Sequence, residues 1–400
     1  MSPLYLVGGS VRDLMLGRAI KDFDLTVEGD AAQLAEATLR KYAGKVVFHS
    51  RFGTATWTLD ATTFKRLDVP LVGASGFPPF LDFVSARNET YVQPGALPTV
   101  KRSSIDDDLR RRDFAMNAMA LRLDGKYWGQ LYDPLDGEAD LQQKLVRILH
   151  PRSFVDDPTR MLRAVRYAER YGFAIEPETL ALMNDEAKSI LSRLSGERLR
   201  HEFDLMFEEP NVSSMLKRLA ELNLLPSIHP SLRITNYDLR ITEPASEFGA
   251  FTPPDILSFK QTLGWELWLM RLPVADIDEI AARLAFPMPL ARAARAASQL
   301  FTEASSFVDW KPSQWTFHLD NLPKLSVYAV YLINNDLNLR EYLVHWQNVK
   351  PTTNGDDLKG RGLEPGPRYA EILHQLRAAW LDGDVTTQAE EKSLLDKLLR

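Results

Sequence analysis

The stretch "LVGGSVRDLMLGRAIKDFDLTVEGD", residues 6–30, carries a glycine pair, an Arg-Asp step and then two aspartates separated by one residue. Leu4–Val7 reads as a short apolar strand that ends at Gly8 and Gly9. Ser10 is placed to cap a helix running to about Leu16, with Gly17 just past its end. Phe23–Val27 reads as the next strand. Asp22 and Asp24 are two apart, so strand alternation puts both carboxylates on one face. Such a pair repels itself unless a cation lies between the charges. Mg²⁺ suits the role, because it takes one or two carboxylates together with substrate phosphates. Glycines at a strand end let backbone N–H groups approach a phosphate beside a helix N-terminus, and Arg12 in the first turn can reach the same anion. Alone, the Gly pair fits any βα turn and Asp-x-Asp any solvated strand face. Together, at strand–turn–helix–strand spacing, they point to phosphates held by glycines and a metal held by aspartates.

Working outward, Asp30–Tyr42 reads as a helix with Asp30 as its N-cap, and Val46–Phe48, Thr54–Leu59 and Phe80–Ala86 as strands. Residues 3–125 therefore read as an α/β unit. Asp82, inside the apolar "FLDFVSA", is the candidate third carboxylate, as a metal ligand of a two-metal site or as the base; an edge-strand Asp facing water is the alternative. Residues 88–104, with Pro94, Gly95 and Pro98, read as a loop. "DDDLRRRDFAMNAMAL", residues 106–121, predicts a helix to about Leu121. On it Met116, Met119 and Ala120 form a core stripe and Arg110 faces water. Arg112, Asp113 and Asn117 make a polar cluster suited to a triphosphate and a ribose.

"DDPTRMLRAVRYAERYGF", residues 156–173, sets Asp157, Arg160, Arg163 and Arg166 three apart on a helix that Pro158 opens. That period winds slowly, giving one curving polar stripe. Cytosine and adenine each present an exocyclic amine donor beside a ring-nitrogen acceptor; guanine and uracil present the reverse. A carboxylate beside a guanidinium matches the first pattern. Asp157 with Arg160 would thus accept C and A, and each unmatched group against G or U costs roughly 1–3 kcal/mol. Asp157 could equally be a helix cap and no more.

With 400 residues and 45% apolar content, the chain has core enough for two or more folded units. It has no Cys, which excludes disulfides and thiolate metal sites. A net charge of −6 weighs against a protein that coats nucleic acid non-specifically. Leu4–Val7 is too short for a leader core and no segment reads as a membrane span, so a soluble cytoplasmic protein is expected. Beyond the turn at 133–137 the pattern is helical, with Pro-rich breaks near 226–233, 251–254, 286–289 and 365–367. Trp265, Trp268, Trp310, Trp315, Trp346 and Trp380 are expected in the core.

Taken jointly, these motifs resemble the class II tRNA nucleotidyltransferases, the CCA-adding enzymes of bacteria and eukaryotes. "GGSVRD" with "DFD" resembles that family's first motif, "RRDF…NA" its second, and "DDPTRMLRAVRYAERYGF" its nucleotide-template motif. "GERLRHEF", with Glu197, Arg198, Arg200 and Glu202, resembles the helix motif that follows, and "TTNGDDLKGRGLEPGPRYAEIL" resembles tails of the family. One departure is Asp156 where the template motif usually has Glu.

The resemblance implies an α/β, polymerase-β-like nucleotidyltransferase head over 1–125, a helical neck with the template motif over 126–205, and a helical, tRNA-binding body and tail over 206–400. It implies Asp22 and Asp24 as Mg²⁺ ligands and Gly9 and Arg12 at the triphosphate. Arg112, Asp157, Arg160, Arg163 and Arg166 would contact the incoming CTP or ATP, and the loop at 88–104 would help the switch to A addition. Full CCA addition to the tRNA 3′ end is the expected activity, with no obligatory protein partner. A CC-only or A-only enzyme, a poly(A) polymerase and a non-catalytic RNA-binding relative are the alternatives. The "ETYVQPGALPTV" segment weighs against CC-only, and the acidic balance against a processive poly(A) enzyme.

Overall fold

The computed structural model describes residues 2–20, 23–49, 53–66, 80–90, 93–96, 98–234, 239–242, 244–251 and 257–400. Asp22 lies outside the described residues. The strand Leu4–Val7 (β1) is buried over three of its four residues and feeds helix α1, Gly9–Met15. The cap of α1 is Gly8, at φ 71°, and not Ser10, which lies 4% exposed inside the first turn. The helix starts two residues earlier than a Ser10 cap would place it, because Gly8 makes the reversal. Gly17, at φ 65°, does follow the helix end.

Strand β2 (Asp24–Val27) runs antiparallel to β1, and helix α2 (Ala31–Tyr42) follows, capped by Asp30, which accepts from the N–H of Ala32 at 2.9 Å. Strands β3 (Lys45–His49) and β4 (Thr54–Thr58), a short helix α3 (Ala61–Arg66) and strand β5 (Phe80–Ser85) come next. Strands β6 (Arg87–Thr90) and β7 (Thr99–Arg102) pair as an antiparallel ribbon where the sequence predicts a loop. Its Pro94 and Gly95 lie in the connection and Pro98 just before β7, so no proline breaks the ladder.

The second correction concerns 106–121. Helix α4 spans only Ile105–Arg110; a turn and a 3₁₀ segment at Ala115–Asn117 lead into strand β8, Ala120–Arg122. Met116, Met119 and Ala120 are all 0% exposed, so the segment is enclosed on every side and its apolar spacing carries no helical face. The edge of β1 claims Ala120–Arg122 as its partner, with Val7 opposite Ala120 and Tyr5 opposite Arg122. With β9 (Leu131–Tyr132) the described sheet has seven strands in the order β3-β4-β5-β2-β1-β8-β9. Strands β2 and β5 are parallel, and Asp24 is the register partner of Asp82.

Helix α5 (Gly137–Gln143), strand β10 (Leu145–Val146), the single turn α6 (Ser153–Asp156), helix α7 (Thr159–Tyr171) and strand β11 (Ala174–Ile175) complete the part that carries the site. Strand β10 pairs β11 in parallel. Helix α7 begins at Thr159, with Pro158 as its cap. Two short helices, α8 (Pro177–Ala181) and α9 (Asp185–Leu191), follow. The chain divides into two compact units, 1–194 and 195–400, so residues 126–194 fold with the α/β head.

The second unit is helical: α10 (Gly196–Phe207), α11 (Val212–Glu221), α12 (Leu224–Ile228), α13 (Phe259–Leu269), α14 (Val274–Arg283), α15 (Met288–Glu303), α16 (Pro312–Leu319), α17 (Lys324–Asn334), α18 (Leu337–Val344), α19 (Gly355–Gly360), α20 (Pro367–Leu381) and α21 (Gln388–Leu398). Trp265, Trp268 and Trp315 are core residues, at most 2% exposed, while Trp310, Trp346 and Trp380 are half-buried. The "GERLR" motif packs on the end of α14. A Cβ at Gly196 would lie 2.3 Å from the Arg283 carbonyl, and Arg200 donates to the carbonyls of Leu284 and Ala285, closing that helix. Among the described residues no helix is long and apolar enough to cross a membrane.

Candidate active site

A polar cavity of about 290 Å³ opens where β1, β2, α1 and α7 meet, lined by Gly9, Arg12, Asp24, Arg112, Asp113, Asn117 and Arg163 among others. Seven residues singled out from the sequence thus converge although more than 150 residues of chain separate the first from the last. The strand-to-helix turn explains why. At Gly8, φ 71° and ψ −130° are open to glycine and costly to other residues. A Cβ there would meet Arg112 Nη1 at 2.3 Å. The turn therefore lets the Arg112 guanidinium lie directly against the backbone that precedes α1.

Arg112 is held from behind by Asp108, whose carboxylate accepts from Arg112 Nη2 at 3.0 Å and from Arg111 Nη2 at 2.7 Å. Asp108 is fully buried, which alone would raise its pKa, yet Arg112 and Arg111 bring it below the ordinary value. Arg12 is 4% exposed. It grips Asp13 through Nε and Nη2, both at 3.0 Å, and donates to Asn117 Oδ1. Asn117 donates in turn to Asp113 Oδ1 at 2.9 Å, so the expected Asp113–Asn117 contact forms, although on a 3₁₀ turn and not an α-helix. Asp113 Oδ2 accepts from Arg163 Nε at 2.9 Å. Burial opposes the Asp113 charge, but Arg163 and the Asn117 hydrogen bond hold its carboxyl far below the carboxylate range. A cage of guanidinium groups, each positioned by a carboxylate or amide, is what a polyphosphate needs.

Asp24 lines the cavity; Asp82 stands one strand over. Register partners on parallel neighbours share a sheet face. Asp82 accepts a hydrogen bond from Thr56 Oγ1 at 2.6 Å. Both carboxylates are half-buried, and oxygen donors of this kind suit a hard divalent cation. Among the described residues no three acidic or His side chains form a metal cluster; Asp22 is not one of those residues.

The rest of the template stripe is not part of the cavity lining. Asp157 accepts from the hydroxyl of Thr159 at 2.6 Å and from its N–H at 3.1 Å, so its carboxylate is engaged just before α7. Arg160, 5% exposed, donates to Ser153 Oγ at 2.7 Å and to the Arg111 carbonyl at 2.9 Å. Arg166 is 6% exposed and lies against the Tyr167 ring at 5.0 Å. The cavity is instead also lined by Ser10, Asp13, Tyr167 and Arg170. Tyr167 and Arg170 follow Arg163 by four and seven residues on α7. That helical spacing is the signal for them, and a three-residue period from Asp157 does not include either.

Replacing Gly8 with Ala is expected to raise the KM for nucleotide at least tenfold and to cost about 1–3 kcal/mol in stability. The substitution strains φ and pushes Arg112 out of place. Steady-state kinetics and thermal denaturation measure both; a silent variant would mean Arg112 does not need that approach.

The first unit thus holds a seven-stranded sheet with a cation-lined strand-to-helix turn, and the second unit is helical. Residues 4–147 match the "Poly A polymerase head domain" and residues 172–234 the "Probable RNA and SrmB- binding site of polymerase A". The chain is 32% identical to an A-adding tRNA nucleotidyltransferase of Geobacter sulfurreducens over 99% of its own length, spanning 45% of that protein. It is 32% identical to an A-adding tRNA nucleotidyltransferase of Halalkalibacterium halodurans, covering 97% of this chain and 86% of that one. A solved CCA-adding enzyme in an apo form aligns at TM-score 0.77 and 28% identity over 99% of this chain and 92% of that one. The Thermotoga maritima CCA-adding enzyme complexed with tRNA aligns at TM-score 0.68 and 26% identity over 100% and 92%. The chain belongs to the tRNA nucleotidyltransferase family.

Proposed function

We propose that this protein adds nucleotides to the 3′ end of tRNA, taking ATP as donor for the terminal A. The observation that carries the reading is the cavity in which Arg12, Arg112 and Arg163 face Asp24 beside the Gly8-Gly9 turn. The 3′-hydroxyl attacks the α-phosphate in line and pyrophosphate leaves; positioning and charge neutralisation do most of the catalysis. Arg12, Arg112 and Arg163 with the backbone of Gly9 bind the triphosphate. Asp113 and Asn117 hold Arg163 and Arg12 in place and border the ribose. Asp24 and Asp82, with Asp22, would hold Mg²⁺, which supplies charge neutralisation at the phosphates. Asp82 is either the third ligand or the group that takes the hydroxyl proton. Asp157 and Arg160, at the start of α7, read the base by exchanging their contacts with Thr159, Ser153 and the Arg111 carbonyl for it, and Arg166 steadies that face. The helical second unit holds tRNA by shape and phosphate contacts.

A-only addition is favoured by the two A-adding relatives that match over nearly the whole chain. Full CCA addition is the second reading, supported by solved CCA-adding enzymes that align along its whole length. Three tRNAs, ending before CCA, after the first C and after CC, each supplied with CTP, ATP or both, separate the readings. The expected result is one A on the CC end and no product with CTP. Extension of all three ends to CCA establishes the second reading, and long A tracts or no product on any end refute both.

A further inference from the structure

Arg12 reaches the cavity as a clamped side chain. Three of its hydrogen bonds go to Asp13 and Asn117. Its guanidinium carbon also lies 4.8 Å from the centre of the Tyr171 ring and 5.3 Å from that of Tyr167. The two rings come from successive turns of α7 and stack on each other with centroids 6.2 Å apart. Tyr171, 9% exposed, also donates its hydroxyl to Asp13 Oδ1 at 3.0 Å. One tyrosine thus touches Arg12 twice, by its ring and through the carboxylate that Arg12 grips. Burial pushes the Tyr171 phenol up, so it stays a donor at any physiological pH. Arg18 and Arg170 also lie over this ring, at 4.8 and 5.4 Å.

We propose that Tyr171 is a positioning residue for nucleotide binding, fixing the Arg12–Asp13 pair so that the guanidinium faces the cavity in one orientation. Nothing in the motif spacing marks it: it lies on α7 beyond the Arg stripe, outside the cavity lining. The proposal rests on the reading that the cavity takes a nucleoside triphosphate. An arginine held by an anion and an aromatic face loses little freedom when a phosphate arrives, which strengthens binding without new contacts. Loss of Tyr171 should then raise the KM for nucleotide and leave tRNA binding alone.

The test compares Tyr171→Phe and Tyr171→Leu with the unaltered full chain. It measures kcat and KM for ATP at saturating tRNA, KM for tRNA, and ATP binding by calorimetry without tRNA. Tyr171→Phe keeps the ring and is expected to raise KM for ATP about threefold; Tyr171→Leu removes both contacts and should raise it about tenfold or more. In both, kcat and tRNA KM stay within about twofold of the unaltered chain. A Tyr171→Leu protein that binds ATP as tightly as the unaltered chain overturns the proposal, as does an equal loss in kcat and in tRNA KM. Tyr171→Phe guards against a Leu variant that does not fold, since a ring of the same shape fills the site. Failure of the unaltered chain to bind any nucleoside triphosphate would instead overturn the reading of the cavity.

Discussion

Asp24→Ala is expected to lower kcat for nucleotide transfer by about a thousandfold or more while tRNA affinity stays unchanged. Asp24 borders the guanidinium-lined cavity, and its register partner on the parallel neighbour is Asp82. It lies on the second strand of a sheet whose other residues, Leu25, Thr26 and Val27, are at most 8% exposed, so the Ala variant keeps the strand's packing. What it loses is a carboxylate that would hold the metal, beside four arginine side chains and the sites for the phosphates. A metal interaction that strengthens as charge develops is worth far more to the transition state than to the bound nucleotide. The loss therefore falls on kcat. Single-turnover incorporation into a tRNA, with filter binding of the same tRNA, measures the two halves; a variant with near-normal turnover would remove Asp24 from the chemistry.

The second large effect lies in the helical unit. Glu266, in the middle of α13, is fully buried, and burial pushes its carboxyl up to about 8. Ser326 Oγ lies 2.5 Å from Glu266 Oε1 and 3.1 Å from the Ala293 carbonyl, which it can serve with its one hydrogen. Both contacts are hydrogen bonds at once only if Glu266 supplies its own proton to Ser326. The other oxygen, Oε2, is buried with no hydrogen-bond partner among the described residues, as a neutral carboxyl tolerates and a carboxylate does not.

The folded pKa is raised from 4.5, so between about pH 4.5 and 8 the folded chain keeps a proton the unfolded one releases. Stability from this group is complete below the lower value and is lost as pH rises, at about 1.4 kcal/mol per unit. Glu266→Gln has nothing to ionise. Its unfolding free energy should exceed that of the unaltered chain by a margin that widens by roughly 2 kcal/mol between pH 6 and 8. Urea denaturation of both proteins at the two pH values reads this directly. Parallel curves would show that Glu266 is already charged when folded.

Gly8, Gly9, Arg12 and Asp24 could be placed because local rules govern them: a glycine turn, a helix start, strand alternation. The four-residue spacing of Asp113 and Asn117 signals their contact, although a 3₁₀ turn and not an α-helix brings the pair together. The helix expected to Leu121 does not form because total burial hides periodicity, and the pairing of Arg87–Thr90 with Thr99–Arg102 is hidden because β-pairing is not a property of either strand alone.

The sequence by itself determined the family, the α/β head before a helical remainder, and the residue types that converge on the cavity, because motif spacing and apolar pattern are local. Only the tertiary structure decided which arginines face the cavity, that Asp157 and Arg160 are engaged by Thr159, Ser153 and Arg111, and that Tyr171 stands behind Arg12. Those facts depend on contacts across as many as 158 positions of chain, as between Asp13 and Tyr171. The direction of a guanidinium is set by whichever partner the fold brings within 3 Å, and no local pattern encodes that.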